Sequence, residues 1–313
     1  AAASPLGGTR PGEQRGLMKP EAAHRRMLAL CLAAVYIIWG TSYLATRVGV
    51  IHMPPLLFAG TRFLISGALL ASVAFLRGFR PAQLAGQWRH LLVMSVLGIA
   101  LCNGLQVWAM QWVQSNTSAL LNASCALWIV VFGLFGPRAH RPDARAIAGL
   151  VIGFAGTALL IAPASGAAGA STPLLPQLAM LLACVVWSLG TIYMRNHSLQ
   201  LDLFALIGIQ MLMGGVWMAG AGLLRGELPL WNWSRPGMLA LAYLVVFSAC
   251  LAYMAYGWLA RHATPAQVGT YSYVNPALAA VVGYVGLKEQ LTALQVLGAA
   301  VILTGVLLIN WPS

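Results

Sequence analysis

A chain of 313 residues that is 60% apolar and only 8% charged, with a mean hydropathy of +0.79, lies far from soluble domains, where about 25% of residues are charged. So little polarity excludes a soluble globular domain, and continuous apolar runs of about 20 residues exclude the short alternating strands of a membrane β-barrel. The net charge of +12 comes with no nucleic-acid motif and is explained by where the basic residues fall between the runs.

Residues 1–26 mix Ala, Gly, Pro and charge without apolar periodicity and read as a disordered cytoplasmic tail. Ten spans follow, at about 27–47, 55–76, 90–112, 116–136, 144–162, 174–195, 203–224, 236–259, 264–286 and 291–311. Pro54, Pro55, Pro137, Pro142, Pro173, Pro176, Pro236 and Pro265 sit near their boundaries, as helix starts and stops require. Residues 163–173 form a linker. Loop charges orient the chain. Thirteen Lys or Arg, including Arg25, Arg26, Arg77, Arg80, Arg89, Arg138, Arg141, Arg145, Arg195 and Arg261, fall on the N-terminal side. Four, Arg47, Arg225, Arg235 and Lys288, fall on the other, so both termini are placed in the cytoplasm.

The chain repeats itself. At an offset of 149 residues Asn122 falls against Tyr271, Gly149 against Gly298 and Gly156 against Gly305. At an offset of 150, Gly40-Thr41-Ser42-Tyr43 falls against Gly190-Thr191-Ile192-Tyr193. Each copy holds five helices, an odd number, so the second copy enters the membrane upside down. The expected fold is an all-α integral membrane protein of ten transmembrane helices, an inverted repeat of two five-helix units (27–162 and 174–311) around a central cavity. Such a pair of halves is the architecture of a carrier.

In the first span Tyr36, Trp39 and Tyr43 share one face, and Trp39, 12 residues in, lies about 18 Å deep at 1.5 Å per residue. This is a cavity-lining stripe or an aromatic seam between helices, and Gly40 beside it permits a bend. Arg47 and Arg62 lie toward the outer ends of spans one and two. An arginine at the depth of Arg62 must snorkel, pair or face water, and a structural or gating role is favoured over substrate contact. Asn103 and Gln106 share a face of span three, where an amide serves as cavity liner or interhelical tie; Trp108 points elsewhere. Asn122 forms a stripe with Ser118 and Cys125. Trp187 and Thr191 repeat the pattern of span one, and Tyr253 and Tyr256 follow in span eight. Tyr271 and Asn275 share a face of span nine, where Pro276 frees the Ser272 carbonyl and acts as hinge or static kink. Gly149, Gly153, Gly156, Gly298 and Gly305 suit close helix contact and read as scaffold.

The acidic residues Glu13, Glu21, Asp143, Asp202, Glu227 and Glu289 all fall in the tail or near span ends, none at mid-membrane. A buried carboxylate relay and a counter-ion for a cationic solute therefore lack support. Aromatic faces and amides suit neutral, amphipathic solutes with a polar head. The histidines are dispersed at interfaces without HExxH or GxSxG, and the cysteines lie unpaired in apolar runs, so neither an enzyme, a metal site nor a cofactor is expected.

Trp39-Gly40-Thr41-Ser42-Tyr43, Arg62-Phe63, Asn122-Ala123, the Gly149–Gly156 stretch, Tyr273-Val274-Asn275-Pro276, Glu289 and the Gly298–Gly305 stretch together resemble the drug/metabolite transporter superfamily, in particular its ten-helix exporters. The aromatic interior looks like the aromatic amino-acid exporter branch. The resemblance implies a basket of helices in which one, three, four, six, eight and nine line the cavity while five and ten pack behind. It implies a multi-pass protein of the bacterial inner membrane that exports neutral and aromatic amino acids by alternating access. Its partners are then a small-molecule substrate and the lipid bilayer, with no nucleic acid; the oligomeric state stays open, a monomer being one reading. The alternatives are export of another solute such as a cationic drug, nucleoside or purine, or, from another class, a membrane-embedded enzyme or a non-transporting scaffold.

Overall fold

The computed structural model describes residues 11–135, 144–161, 173–197, 199–263, 267–268 and 270–310. The Pro137–Pro142 loop, with Arg138 and Arg141, and linker residues 163–172 lie outside them, as do Pro265 and the side chain of Tyr273. Among the described residues every regular element is helical.

A helix falls within or on each of the expected spans: α1 (Pro11–His52), α2 (Pro55–Leu76), α3 (Trp88–Ala109), α4 (Ser115–Gly133), α5 (Ala144–Ile161), α6 (Leu174–Asn196), α7 (Leu203–Leu224), α8 (Arg235–His262), α9 (Tyr271–Leu287) and α10 (Ala293–Asn310). Seven of these, α1 to α4 and α6 to α8, are long and apolar enough to cross a membrane. The chain is an all-α integral membrane protein. The other three carry shorter apolar helices over Ala144–Leu160, Val274–Leu287 and Ala293–Leu308. Helix α1 starts at Pro11, inside the stretch read from sequence as a disordered tail ending at 26; its membrane-length part is Ala22–His52. The reason is local, since proline suits the first helical position and Glu, Gln, Arg and Ala favour helix.

The helix ends are chemically closed. Asp202 accepts from Phe204 N–H at 2.9 Å to start α7, and Ser234 accepts from Gly237 N–H at 3.3 Å to start α8. Thr292 and Gln295 form a reciprocal capping box before α10, at 3.0 and 3.2 Å. Helix α3 is π-helical over Val96–Leu101, and α8 over Leu244–Ala252. Helix α4 is interrupted at Ala123-Ser124. Helix α9 continues through Pro276 without a break.

Two helix pairs pack backbone against backbone. A Cβ on Gly156 would stand 2.6 Å from Ile302 N and 2.8 Å from Gly298 O, and one on Gly305 2.5 Å from Gly149 O, so α5 and α10 lie antiparallel in direct contact. Helices α2 and α7 do the same. A Cβ on Gly60 meets Ala219 N at 2.5 Å, and one on Gly67 meets Gly208 O at 2.8 Å. Small residues at a membrane helix interface let the main chains approach, and dispersion then replaces the missing hydrophobic drive.

Candidate functional site

The remaining helices, joined by Arg62 of α2, surround a polar cavity of about 80 Å³. Helix α1 contributes Trp39, Ser42, Tyr43 and Thr46, whose spacing of three and four residues puts them on one face. Arg62 comes from α2; Cys102, Asn103 and Gln106 come from α3; Asn122 comes from the interruption of α4. Helix α6 adds Ala183 and Trp187, α8 adds Ser248 and Tyr253, and α9 adds Tyr271 and Asn275.

Aromatic rings close one side of this space. The Trp39 ring lies 5.4 Å from Tyr253, 5.1 Å from Tyr256, 5.6 Å from Tyr271 and 6.3 Å from Trp187, centroid to centroid. Most of these pairs are edge-on, the arrangement ring quadrupoles favour. Tyr256 packs tilted against Trp187 behind the rings that reach the cavity, and Tyr36 hydrogen-bonds Thr270 at the start of α9. Thr191 spends its hydroxyl on Trp187 O at 3.0 Å. Asn103 donates to Ile99 O at 3.0 Å. Of the twelve residues singled out from sequence as substrate-binding, Tyr36, Thr191 and Tyr256 thus stand outside the lining, and the other nine stand in it.

Among the residues proposed for gating, Gly40 lies against Leu278 of α9, where a Cβ would come within 2.8 Å, so α1 and α9 touch there. Arg47 donates to Met110 O at the end of α3. Pro276 is buried in α9 beside Asn275. Arg62 faces the cavity, 6% exposed, its Nη2 donating to Ser248 Oγ at 2.9 Å. Sequence reading missed Ser42, Thr46 and Ser248 as cavity residues. The first two were legible, lying on the stripe of Trp39 and Tyr43.

Two buried carboxylates fasten one end of the bundle. Glu227, after α7, accepts from Leu57 N–H at 2.9 Å in the first turn of α2. Glu289, after α9, accepts from Ser115 N–H at 2.8 Å, Ser115 Oγ–H at 2.7 Å and Asn116 N–H at 3.0 Å at the start of α4. A helix start offers unpaired N–H groups and a positive dipole end, which suit an anion. Lys288 takes the left-handed conformation (φ 56°) that turns the chain back under α9, and Gly283 leaves the space Glu289 fills.

Trp108 stands away from the cavity and lines an apolar crevice with Leu101, Leu105, Leu178, Leu182 and Trp217. One helix, α3, therefore shows a polar face inward and an apolar face outward.

The sequence profile of the EamA-like transporter family matches this chain twice, over residues 26–162 and 174–311. The chain belongs to the EamA-like transporter family. This EamA-like transporter is similar to the uncharacterized inner membrane transporter YedA of Escherichia coli K12, with 34% identity over 91% of this chain and 92% of the relative. It is also similar to the uncharacterized transporter YvbV of Bacillus subtilis, with 29% identity over 91% of this chain and 92% of that one. A solved crystal structure with 22% identity shares the fold at a TM-score of 0.66, over 90% of this chain and 95% of that chain. As a member of the drug/metabolite transporter superfamily, the EamA-like transporter is a multi-pass protein of a bacterial inner membrane that moves small molecules across it.

Proposed function

We propose that this protein exports neutral and aromatic amino acids by alternating access, with an inverted repeat of two five-helix units as the moving parts and both termini cytoplasmic. The observation that carries the reading is the cavity itself. It offers aromatic faces from Trp39, Trp187, Tyr253 and Tyr271 beside amides from Asn103, Gln106, Asn122 and Asn275, and its walls hold no carboxylate among the described residues. Flat apolar rings next to hydrogen-bonding groups fit a small solute with a ring or short side chain and a polar head.

The inverted repeat is supported by reciprocal packing. Gly149 and Gly298 are counterparts in the two halves, as are Gly156 and Gly305. Gly149 meets Gly305 while Gly156 meets Gly298, so the counterparts of one touching pair form the other touching pair. That exchange is the signature of a two-fold axis. Gly60 and Gly67 repeat it with Gly208 and Gly215, at an offset of 148 residues. The π-helical starts at Val96 and Leu244 differ by the same 148 residues.

The small size of the cavity supports the alternating-access reading. At about 80 Å³ it falls below the ~300–1,000 Å³ of small-molecule sites, so a solute of amino-acid size enters only when helices part. One end is fastened by Glu227 and Glu289, the other by Tyr36 against Thr270. Release of either end opens the cavity to that side. The test is efflux of radiolabelled phenylalanine from proteoliposomes, with threonine, methionine, lysine, a nucleoside and a cationic drug as competitors. Phenylalanine release faster than from protein-free liposomes, competed chiefly by amino acids, is expected. Release no faster than the control, across a panel of ion gradients, sinks the reading.

A further inference from the structure

Arg62 sits seven residues into α2, about 10 Å below the helix start at 1.5 Å per residue, in a chain whose interior has few charges. It is 6% exposed, and its guanidinium reaches one side-chain acceptor, Ser248 Oγ, at 2.9 Å. Its Nε has no hydrogen-bond partner among the described residues. The ion pair found among those residues joins Arg77 and Asp202 at the bundle surface, so no carboxylate there neutralises Arg62. A buried guanidinium with spare donors is strongly disfavoured unless an anion completes it, and its planar fork matches a carboxylate.

The position of Arg62 is built. Ser66 Oγ donates to Arg62 O at 2.7 Å, securing the main chain, and the π-helical turn of α8 brings Ser248 to the guanidinium. Such turns recur at functional sites because they re-aim side chains. The same lining also carries the opposite polarity. Asn275, 4% exposed, has an amide oxygen with no partner among the described residues.

We propose that Arg62 is the anion pole of the transport cavity and takes the carboxylate of the solute, while the free oxygen of Asn275 accepts from the solute's ammonium. The inference rests on reading the cavity as the transport site. It makes the acid group, rather than the aromatic ring, the feature every transported solute shares. A cation lacking a carboxylate meets the Arg62 charge with nothing to offset it and is rejected.

The experiment measures binding to the purified full chain by quenching of tryptophan fluorescence, with three probes: phenylalanine, 3-phenylpropionate (carboxylate alone) and phenethylamine (ammonium alone). Phenylalanine is expected to bind tightest, 3-phenylpropionate next, and phenethylamine at least about tenfold more weakly than phenylalanine. Arg62→Gln is expected to weaken both carboxylates about tenfold or more and, by removing the repelling charge, to tighten phenethylamine, with partial recovery of carboxylate binding in Arg62→Lys. Should Arg62→Gln fail to fold, Ser248→Ala, which removes the hydrogen bond that aims the guanidinium and leaves it only its contact with the Phe63 ring, tests the same point by a several-fold loss for the carboxylates alone. Phenethylamine bound as tightly as phenylalanine overturns the proposal, as does a carboxylate affinity indifferent to Arg62→Gln. So does chloride-dependent stabilisation without binding of any carboxylate, since Arg62 would then hold an inorganic ion. Binding of 3-phenylpropionate that Arg62→Gln abolishes, without binding of phenylalanine, leaves the anion pole standing and removes the amino-acid reading.

Discussion

The Glu289 carboxylate receives the main-chain N–H groups of both Ser115 and Asn116, at 2.8 and 3.0 Å, and so pins the start of α4 to the end of α9 across 173 residues of chain. It serves as helix cap and as fastening between the two repeats. Glu289→Gln keeps one acceptor of the pair and is expected to cost about 1–2 kcal/mol, and Glu289→Ala more, because two buried N–H groups then stand unmet. Thermal unfolding in detergent ranks the two. A melting temperature unchanged in Glu289→Ala contradicts the assignment.

Gly305 and Gly220 should answer differently to the same substitution. A Cβ on Gly305 would lie 2.5 Å from Gly149 O and 2.6 Å from Gly153 N, both main-chain atoms that cannot swing aside. Gly305→Ala is expected to separate α5 from α10 at a cost of about 1–3 kcal/mol, read as lower yield of monodisperse protein. Gly220, with open space around it, accepts alanine without loss.

Trp39 touches four aromatic rings, so its replacement distinguishes ring chemistry from bulk. Trp39→Phe retains a flat apolar face and should keep phenylalanine efflux within a few fold of the parent. Trp39→Ala forgoes several aromatic pairs of about 0.5–1.5 kcal/mol each, and efflux is expected to fall by about tenfold or more. Equal rates for the two variants would show that the ring takes no part.

Ser42 offers a small hydroxyl in the cavity wall, bonded to Trp39 O at 2.8 Å, and suits a cysteine probe. In a background lacking the five native cysteines, Ser42→Cys should react with a membrane-impermeant maleimide applied from either side of the membrane. Saturating solute should slow both reactions. Labelling from one side alone, under every gradient and with or without solute, argues against alternating access.

Much of this was legible because membrane helices carry their pattern locally. Run lengths gave the helix positions to within a few residues, except for α1, whose polar beginning has no apolar period to reveal it, and for α9, which begins at Tyr271 against an expected 264. The stripe of Trp39 and Tyr43 and the pair Tyr271 and Asn275 could be read because residues three and four apart share a face. The same rule could not place Tyr36, Thr191 or Tyr256, since depth along a face decides whether a side chain reaches a cavity or packs one layer behind. Glu227 looked like an ordinary loop charge, and Glu289 stood out only as part of the family resemblance, with no role attached. Their partners are main-chain N–H groups of helices distant in sequence, and no spacing records that. Arg62 was visible as an anomaly, but that no carboxylate among the described residues pairs with it is a property of the assembled helices.

The widened turns of α3 and α8 have a consequence for direction around the helix axis. A π turn holds more residues than an α turn, so it shifts the azimuth of everything after it relative to an uninterrupted α-helix. Deleting one residue from Leu244–Ala252 would swing Tyr253 and Tyr256 by about 100° and carry them away from Trp39, while the helix before the turn kept its place. The turn at Val96–Leu101 sets the angle of Asn103 and Gln106 in the same way. These turns work as phase settings: two single-residue dials, one in each half of the chain, that bring side chains from separate helices to a common centre.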